Sequence, residues 1–178
     1  KLSPWIIPIG QEVAATPLQL AVMMAAVANG GWRVRPYLVE RIQTPDGRIV
    51  RRHPDTPRIR ILSPETATRL QDALARVVES GTGRSANVQG LTVAGKTGTA
   101  QKLEPTGRYS HSLFVASFVG YGPVPDSRFV IVVTVDEPRP AYFGGVVAAP
   151  IFSRTVKQLT GYWALKPSTP TGTLAKLP

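Results

Sequence analysis

Nine residues, Val93-Ala94-Gly95-Lys96-Thr97-Gly98-Thr99-Ala100-Gln101, gather a cation, two hydroxyl side chains, two glycines and an amide in one short stretch. Leu91, Val93 and Gly95 alternate with Thr92 and Ala94, the pattern of a strand running into the stretch. On a strand, Thr97 and Thr99 stand two residues apart and share a face. Gly95 and Gly98 have no side chain to keep another backbone or a ligand away. Lys96 adds a positive charge. Two hydroxyls, exposed backbone N–H groups and a cation together suit a carboxylate, held by charge-assisted hydrogen bonds.

A second chemistry fits the same letters. Gly90-Leu91-Thr92-Val93-Ala94-Gly95-Lys96-Thr97 satisfies the phosphate-loop formula G-x-x-x-x-G-K-[ST], and Asp136-Glu137 after an apolar run could be a magnesium-binding strand end. That chemistry needs a strand before Gly90 and a helix opening at Lys96, so that helix N–H groups hold phosphate. Arg84 to Gln89 makes a poor strand, and Gly98, Pro105 and Gly107 make a poor helix. Leu91 to Ala94 prefer an extended strand to a loop around phosphate. The residues therefore disfavour a nucleotide site, and Asp136 and Glu137 read as a solvated strand end ahead of Pro138.

The elements around the stretch can be read from their punctuation. Residues 1–15, with Pro4, Pro8 and Gly10, read as an irregular lead-in. Thr16-Pro17-Leu18-Gln19 opens a helix, with Thr16 as N-cap and Gln19 closing a capping box. Leu20 to Ala28 is apolar on every side, which predicts burial on every side, and Asn29-Gly30-Gly31 ends it. Tyr37–Ile42 and Arg48–Arg52 read as two strands joined by the turn Thr44-Pro45-Asp46-Gly47. Ser63-Pro64-Glu65 starts a second helix with Leu70, Leu74, Val77 and Val78 on one stripe, stopped by Ser80-Gly81. Gly81 to Ser85 and residues 102–110 read as loops. Leu113–Tyr121 and Phe129–Asp136 read as strands joined by a short link, which favours an antiparallel pair. A last helix follows Gly144-Gly145, with Pro150 in its first turn and Ile151, Phe152, Thr155, Val156 and Leu159 at helical spacing. From Gly161 the chain turns Pro-, Thr- and Lys-rich and reads as a tail.

Composition narrows the classes. With 178 residues, 43% of them hydrophobic and 18% charged, the chain can bury the core of one folded domain. No apolar run reaches the roughly 18 residues of a membrane span, and Lys1 to Pro8 lacks the apolar stretch of a signal peptide. The absence of cysteine removes disulfides and thiolate metal sites. His53 and His111 have no ligand spacing, so no metal or cofactor is expected. The net charge of +10 would suit an anionic partner, and Arg48, Arg51, Arg52, Arg58 and Arg60 form its densest cluster. That cluster carries no stacked aromatic pattern or helix-turn-helix signature, so it reads as a solvated basic hairpin and no nucleic acid is expected.

Lys96-Thr97-Gly98 also matches the third motif of active-site-serine penicillin-recognising enzymes. The wider sequence resembles class B (monofunctional) penicillin-binding proteins, the peptidoglycan D,D-transpeptidases, and most closely the division type. The resemblance rests on Thr16-Pro17-Leu18-Gln19-Leu20 running into Ala28-Asn29-Gly30-Gly31, on Ala94 to Gln101, and on Ala116-Ser117-Phe118-Val119-Gly120. It continues through Pro125-Asp126-Ser127-Arg128-Phe129, Asp136-Glu137-Pro138, and Tyr142-Phe143-Gly144-Gly145 on to Pro150-Ile151-Phe152. These blocks cover roughly residues 8–159.

The resemblance implies an α+β fold, an antiparallel sheet flanked by helices, with residues 1–160 as the C-terminal part of a transpeptidase domain and 161–178 as its tail. It implies that Lys96 supplies charge and helps proton transfer at a serine. It implies that Thr97 and Thr99, with Gly98 between them, hold the terminal carboxylate of the acyl donor or of a β-lactam. The Thr99 backbone N–H would be one oxyanion donor. Gln101 would lie near bound substrate, or be a solvated edge residue. The same resemblance implies peptidoglycan stem peptides and β-lactam antibiotics as ligands. It implies a polytopic glycosyltransferase of the division or elongation machinery as partner, and a location on the extracytoplasmic face of the bacterial inner membrane, with an N-terminal anchor outside this chain.

One part of the pattern is absent. No Ser-x-x-Lys occurs; Ser80, Ser112 and Ser153 each lack the lysine three residues on. Ser85-Ala86-Asn87 has the letters of the second motif but stands directly before the motif strand, where the family does not carry it. The nucleophile and its lysine are therefore expected before residue 1, on the N-terminal half of the same domain. A β-lactam sensor of this fold, or a domain that binds an anionic cell-wall polymer, stands as the non-catalytic alternative.

Overall fold

Thr16 starts the first helix as its side chain dictates. In the computed structural model, which describes Ile7, Gly10 and residues 13–165, helix α1 spans Pro17–Ala28. The Gln19 N–H donates to Thr16 Oγ1 at 3.2 Å and the Thr16 N–H to Gln19 Oε1 at 2.8 Å, a closed capping box. Most of the lead-in lies outside the described residues.

After α1 the chain makes two small antiparallel pairs. Strand β1 (Trp32–Arg33) pairs with β4 (Ile59–Arg60), and β2 (Arg41–Gln43) with β3 (Ile49–Arg52). The turn at Thr44 is closed by the Gly47 N–H on the Thr44 carbonyl, as its proline and glycine predict. The expected strand over Tyr37–Ile42 is shorter, beginning only at Arg41 where β3 gives it a partner. Every residue of β2 and β3 is exposed. Arg60 is exposed, as expected, but it is also engaged by its neighbours. Its guanidinium lies 4.2 Å from the Trp32 ring centroid and donates to the Gly30 and Leu62 carbonyls.

Helix α2 (Pro64–Glu79) is capped by Ser63, whose Oγ accepts from the Thr66 N–H. The expected loop after it contains a 3₁₀ turn over Arg84–Ala86. Then three strands, β5 (Ala94–Leu103), β6 (Tyr109–Gly122) and β7 (Phe129–Asp136), form one antiparallel sheet in chain order. The loop expected over 102–110 is only a tight turn, because β5 and β6 pair as far as Leu103 and Tyr109. Lys96 lies inside a strand, paired with Val119, so the helix that a phosphate loop requires is not there.

Helix α3 spans Gly144–Tyr162. It begins six residues before Pro150, which sits in its interior and not in its first turn. A proline there forgoes a helical hydrogen bond. The tail from residue 166 lies outside the described residues.

Strand alternation sorts the sheet's two faces. Phe118 packs toward α3, its ring 4.8 Å from that of Phe152, with Phe129, Ala148, Ala149 and Val156 in the same cluster. Tyr121 and Ala94 pack on the other face against Met24 and Ala28 of α1. Cover on α1 is incomplete. Met24, Ala26, Val27 and Ala28 are buried among β1, α2 and the sheet, but Leu18 and Met23 remain 59% and 53% exposed, so the expectation of burial on every side fails for this helix.

Tyr121 is fully buried, and its hydroxyl has no hydrogen-bond partner among the described residues. Burial, with Asp72 nearby, pushes its pKa above the ordinary tyrosine value. A group whose folded pKa is raised contributes stability below its unfolded pKa, near 10, and loses that contribution as pH rises past it. Tyr121→Phe removes both an unpaired polar group and a group that must ionise. We expect the variant to melt within about 1 kcal/mol of the parent at neutral pH and to lose less stability than the parent on titration above pH about 10. Equal alkaline losses in parallel melting curves would exclude Tyr121 as the responsible group.

Candidate active site

Strand β5 is an edge of the three-stranded sheet, pairing with β6 on one side only among the described residues. An edge strand presents unpaired N–H and C=O groups to a peptide that can lie alongside. Register with β6 fixes which side chains share a face: Thr97 stands opposite Phe118 and Thr99 opposite Ala116, both on the α3 side. Lys96 and Gly98 point to the α1 side, opposite Val119 and Ser117.

Both threonine hydroxyls are held. The Gly144 N–H, at the first position of α3, donates to Thr99 Oγ1 at 3.0 Å. Thr97 Oγ1 lies 2.9 Å from Thr82 Oγ1. Thr97 is half-buried and Thr99 exposed. Lys96 is exposed, and its ammonium donates to the Thr97 carbonyl at 3.0 Å. Two hydroxyls, a strand edge and an exposed cation thus stand within four residues, the cation on the opposite face. None of the three side chains is packed into the core.

Glycines permit this closeness. A Cβ on Gly98 would lie 2.4 Å from Ser117 Oγ. A Cβ on Gly144 would lie 2.3 Å from the carbonyl oxygens of Gly98 and Ser117, so the start of α3 rests directly on the β5–β6 backbone. Beyond Thr99, Tyr142 stacks on Phe114 at 4.2 Å between centroids, and Phe143 lies 4.5 Å from Tyr142. These rings form an apolar wall at the N-terminal end of α3.

Gln101 is half-buried near the far end of β5. Its side-chain nitrogen donates to the Ser110 carbonyl at 3.0 Å across the hairpin. Asp136 and Glu137 form an exposed strand end, as expected, and both also pair: the Lys102 ammonium lies 2.9 Å from Asp136 Oδ1 and 2.6 Å from Glu137 Oε1. Hydrogen bonds to Glu137 and then Asp136 raise the Lys102 pKa. The pairing was invisible in the sequence because more than thirty residues separate the partners. An open cavity of about 410 Å³ lies elsewhere, among Tyr37, Glu40, Arg52, His53, Asp55 and Arg58. It shares no residue with the β5 site.

Thr82, Gly144 and the ring wall are the members that residue chemistry alone did not single out. Only the small residues flanking them, Gly81, Gly83 and Gly145, hinted at close approach. Among the described residues no helix is long and apolar enough to cross a membrane, and no group of three metal-ligating side chains gathers.

Known proteins resemble this chain in sequence and fold. The family described as penicillin binding protein transpeptidase domain matches residues 5–157. Stage V sporulation protein D of Bacillus subtilis is 38% identical over 160 residues, covering 89% of this chain and 25% of its own. Penicillin-binding protein PbpB of Mycolicibacterium smegmatis is 40% identical over 157 residues, covering 82% of this chain and 24% of its own. The crystal structure of penicillin-binding protein 3 from Mycobacterium tuberculosis complexed with ampicillin superposes with a TM-score of 0.84 at 34% identity. It covers 94% of this chain and 39% of that one. The chain therefore spans about a quarter of the length of these curated relatives.

Proposed function

The chain belongs to the penicillin-binding protein transpeptidase domain family, and on that premise we propose that it carries the motif-strand side of a peptidoglycan D,D-transpeptidase active site. The observation that carries the reading is the β5 edge. Thr97 and Thr99 stand on one face with their hydroxyls held, Lys96 directly before them is exposed on the other face, and the strand edge runs alongside.

In this reading a stem peptide lies along β5 with its terminal carboxylate on the Thr97 and Thr99 hydroxyls. The positive end of α3, acting through Gly144 and Thr99, favours that negative charge. A serine from a Ser-x-x-Lys segment outside these 178 residues attacks the penultimate carbonyl. The oxygen of that carbonyl takes up negative charge and is met by the Thr99 N–H. Lys96 lends positive charge to the proton transfers that carry the serine proton to the departing amine. The terminal residue leaves, and the amine of a second stem peptide attacks the ester to form the cross-link and release the serine.

A β-lactam would occupy the same site, its carboxylate on the same hydroxyls, and leave the serine acylated. The ampicillin complex of the M. tuberculosis relative supports this extension. The reading puts the site on the extracytoplasmic face of the cell membrane, anchored through a segment outside these residues. Its partners would be the domain half that carries the serine, and a polytopic glycosyltransferase of the division or elongation machinery. A relative from Mesostigma viride is named a peptidoglycan D,D-transpeptidase FtsI homologue, which supports the reaction class.

Thr97→Val tests the clamp. In the complete transpeptidase domain it removes one hydrogen bond to a charged group, about 1.5–3 kcal/mol or roughly ten- to a hundredfold in the second-order rate of acylation by a fluorescent penicillin. An unchanged rate would contradict the assignment of the carboxylate to this strand.

A further inference from the structure

Thr82 occupies a rigid point that the proposed reaction leaves unexplained. It stands between Gly81 and Gly83 in the turn that leaves α2. The turn is pinned from both sides: the Gly81 N–H donates to the Arg76 and Val77 carbonyls, and the Gly83 N–H to the Val77 carbonyl at 3.0 Å. A Cβ on Gly83 would meet Val77 and Phe118, and one on Gly145 would lie 2.4 Å from the Thr82 carbonyl oxygen. The start of α3 therefore closes on Thr82 from the other side. Thr82 itself is exposed, so core packing does not account for its position. Its hydroxyl sits 2.9 Å from that of Thr97.

A hydroxyl has one proton to give. If Thr97 donates to Thr82, it has none left for a carboxylate, which can only accept. If Thr82 donates to Thr97, the Thr97 proton is free, and accepting a hydrogen bond polarises that hydroxyl into a stronger donor. Thr99 shows the same arrangement with a fixed direction, because its partner is the Gly144 N–H, which can only donate. We propose that Thr82 is a positioning residue that donates to Thr97 and so turns the Thr97 proton toward the substrate carboxylate. The proposal rests on the transpeptidase reading above.

The test uses the complete transpeptidase domain and two acylating compounds, a penicillin and its methyl ester, which lacks the negative charge. Thr82→Val is expected to lower the ratio of acylation rates, acid over ester, on the order of three- to tenfold. Thr82→Ala should do the same, and Thr82→Ser, which keeps the hydroxyl, should restore the ratio. Since Thr82 acts through Thr97, Thr82→Val combined with Thr97→Val should be no slower than Thr97→Val alone. Equal slowing toward acid and ester, failure of Thr82→Ser to restore the ratio, or additive losses in the double variant would overturn the proposal. A parent domain that responds to Thr97→Val but not to Thr82→Val or Thr82→Ala would overturn it alone. A parent domain that is never acylated would overturn it together with the transpeptidase reading.

Discussion

Lys96→Ala in the complete transpeptidase domain is expected to slow acylation by a fluorescent penicillin on the order of 10²–10⁴-fold. The strand should survive the change. Lys96 is exposed, its pairing with Val119 is a backbone matter, and its one side-chain hydrogen bond goes to the neighbouring Thr97 carbonyl. Its ammonium has no acidic partner within ion-pair distance among the described residues, so removing it strands no buried charge. On the proposed reading, what the variant lacks is a cation in the proton-transfer network and near the developing oxyanion. The melting temperature should stay close to that of the parent while the rate falls. Acylation at the parent rate would reduce β5 to scaffold.

Gly144→Ala should injure fold and site together. The added methyl would sit 2.3 Å from the carbonyl oxygens of Gly98 and Ser117, both backbone atoms of paired strands that have little room to move. Overpacking of this kind costs about 1–3 kcal/mol and more where backbone must shift. Relief requires α3 to lift away from β5, which would take the Gly144 N–H off Thr99 Oγ1 and loosen the clamp. We expect a lower melting temperature and an acylation rate reduced at least tenfold, on the order of one hydrogen bond to a charged group. Gly161→Ala is the control on the same helix: a Cβ there meets nothing within 4 Å, so neither quantity should fall. An unchanged rate in Gly144→Ala would mean that the α3–β5 contact does not shape the site.

Local chemistry made much of this structure legible in advance. Thr16 with Gln19, and Ser63 with Pro64, announce helix starts through their own hydrogen bonds, and both helices begin there. The apolar runs 113–121 and 129–136 with a short link between them imply an antiparallel pair, and β6 and β7 are one. Pro150 misled, because a proline near a helix start is common, yet the apolar run from Val146 draws the helix back to Gly144 to cover Phe118. Helix α1 misled in the opposite way: its sequence fixes how much apolar surface it carries, not how many neighbours reach it. Contacts made between distant segments stayed hidden. Lys102 with Asp136 and Glu137, Gln101 with Ser110, and Thr82 with Thr97 each depend on which strands and turns come to lie side by side. Lys96, Thr97 and Thr99 stood out in the sequence as candidates for a carboxylate site, and the structure places all three on one edge strand. The way its hydroxyls are held required the turn after α2 and the first residue of α3.

The most direct measurement is to map the covalent adduct. The complete transpeptidase domain is treated with a fluorescent penicillin and digested, and the labelled peptide is sequenced by mass spectrometry. The account predicts one adduct, on the serine of a Ser-x-x-Lys segment outside residues 1–178, formed only when Lys96 is present at its normal rate. An adduct on a serine or threonine within these 178 residues, or a complete domain that takes no label, would contradict it.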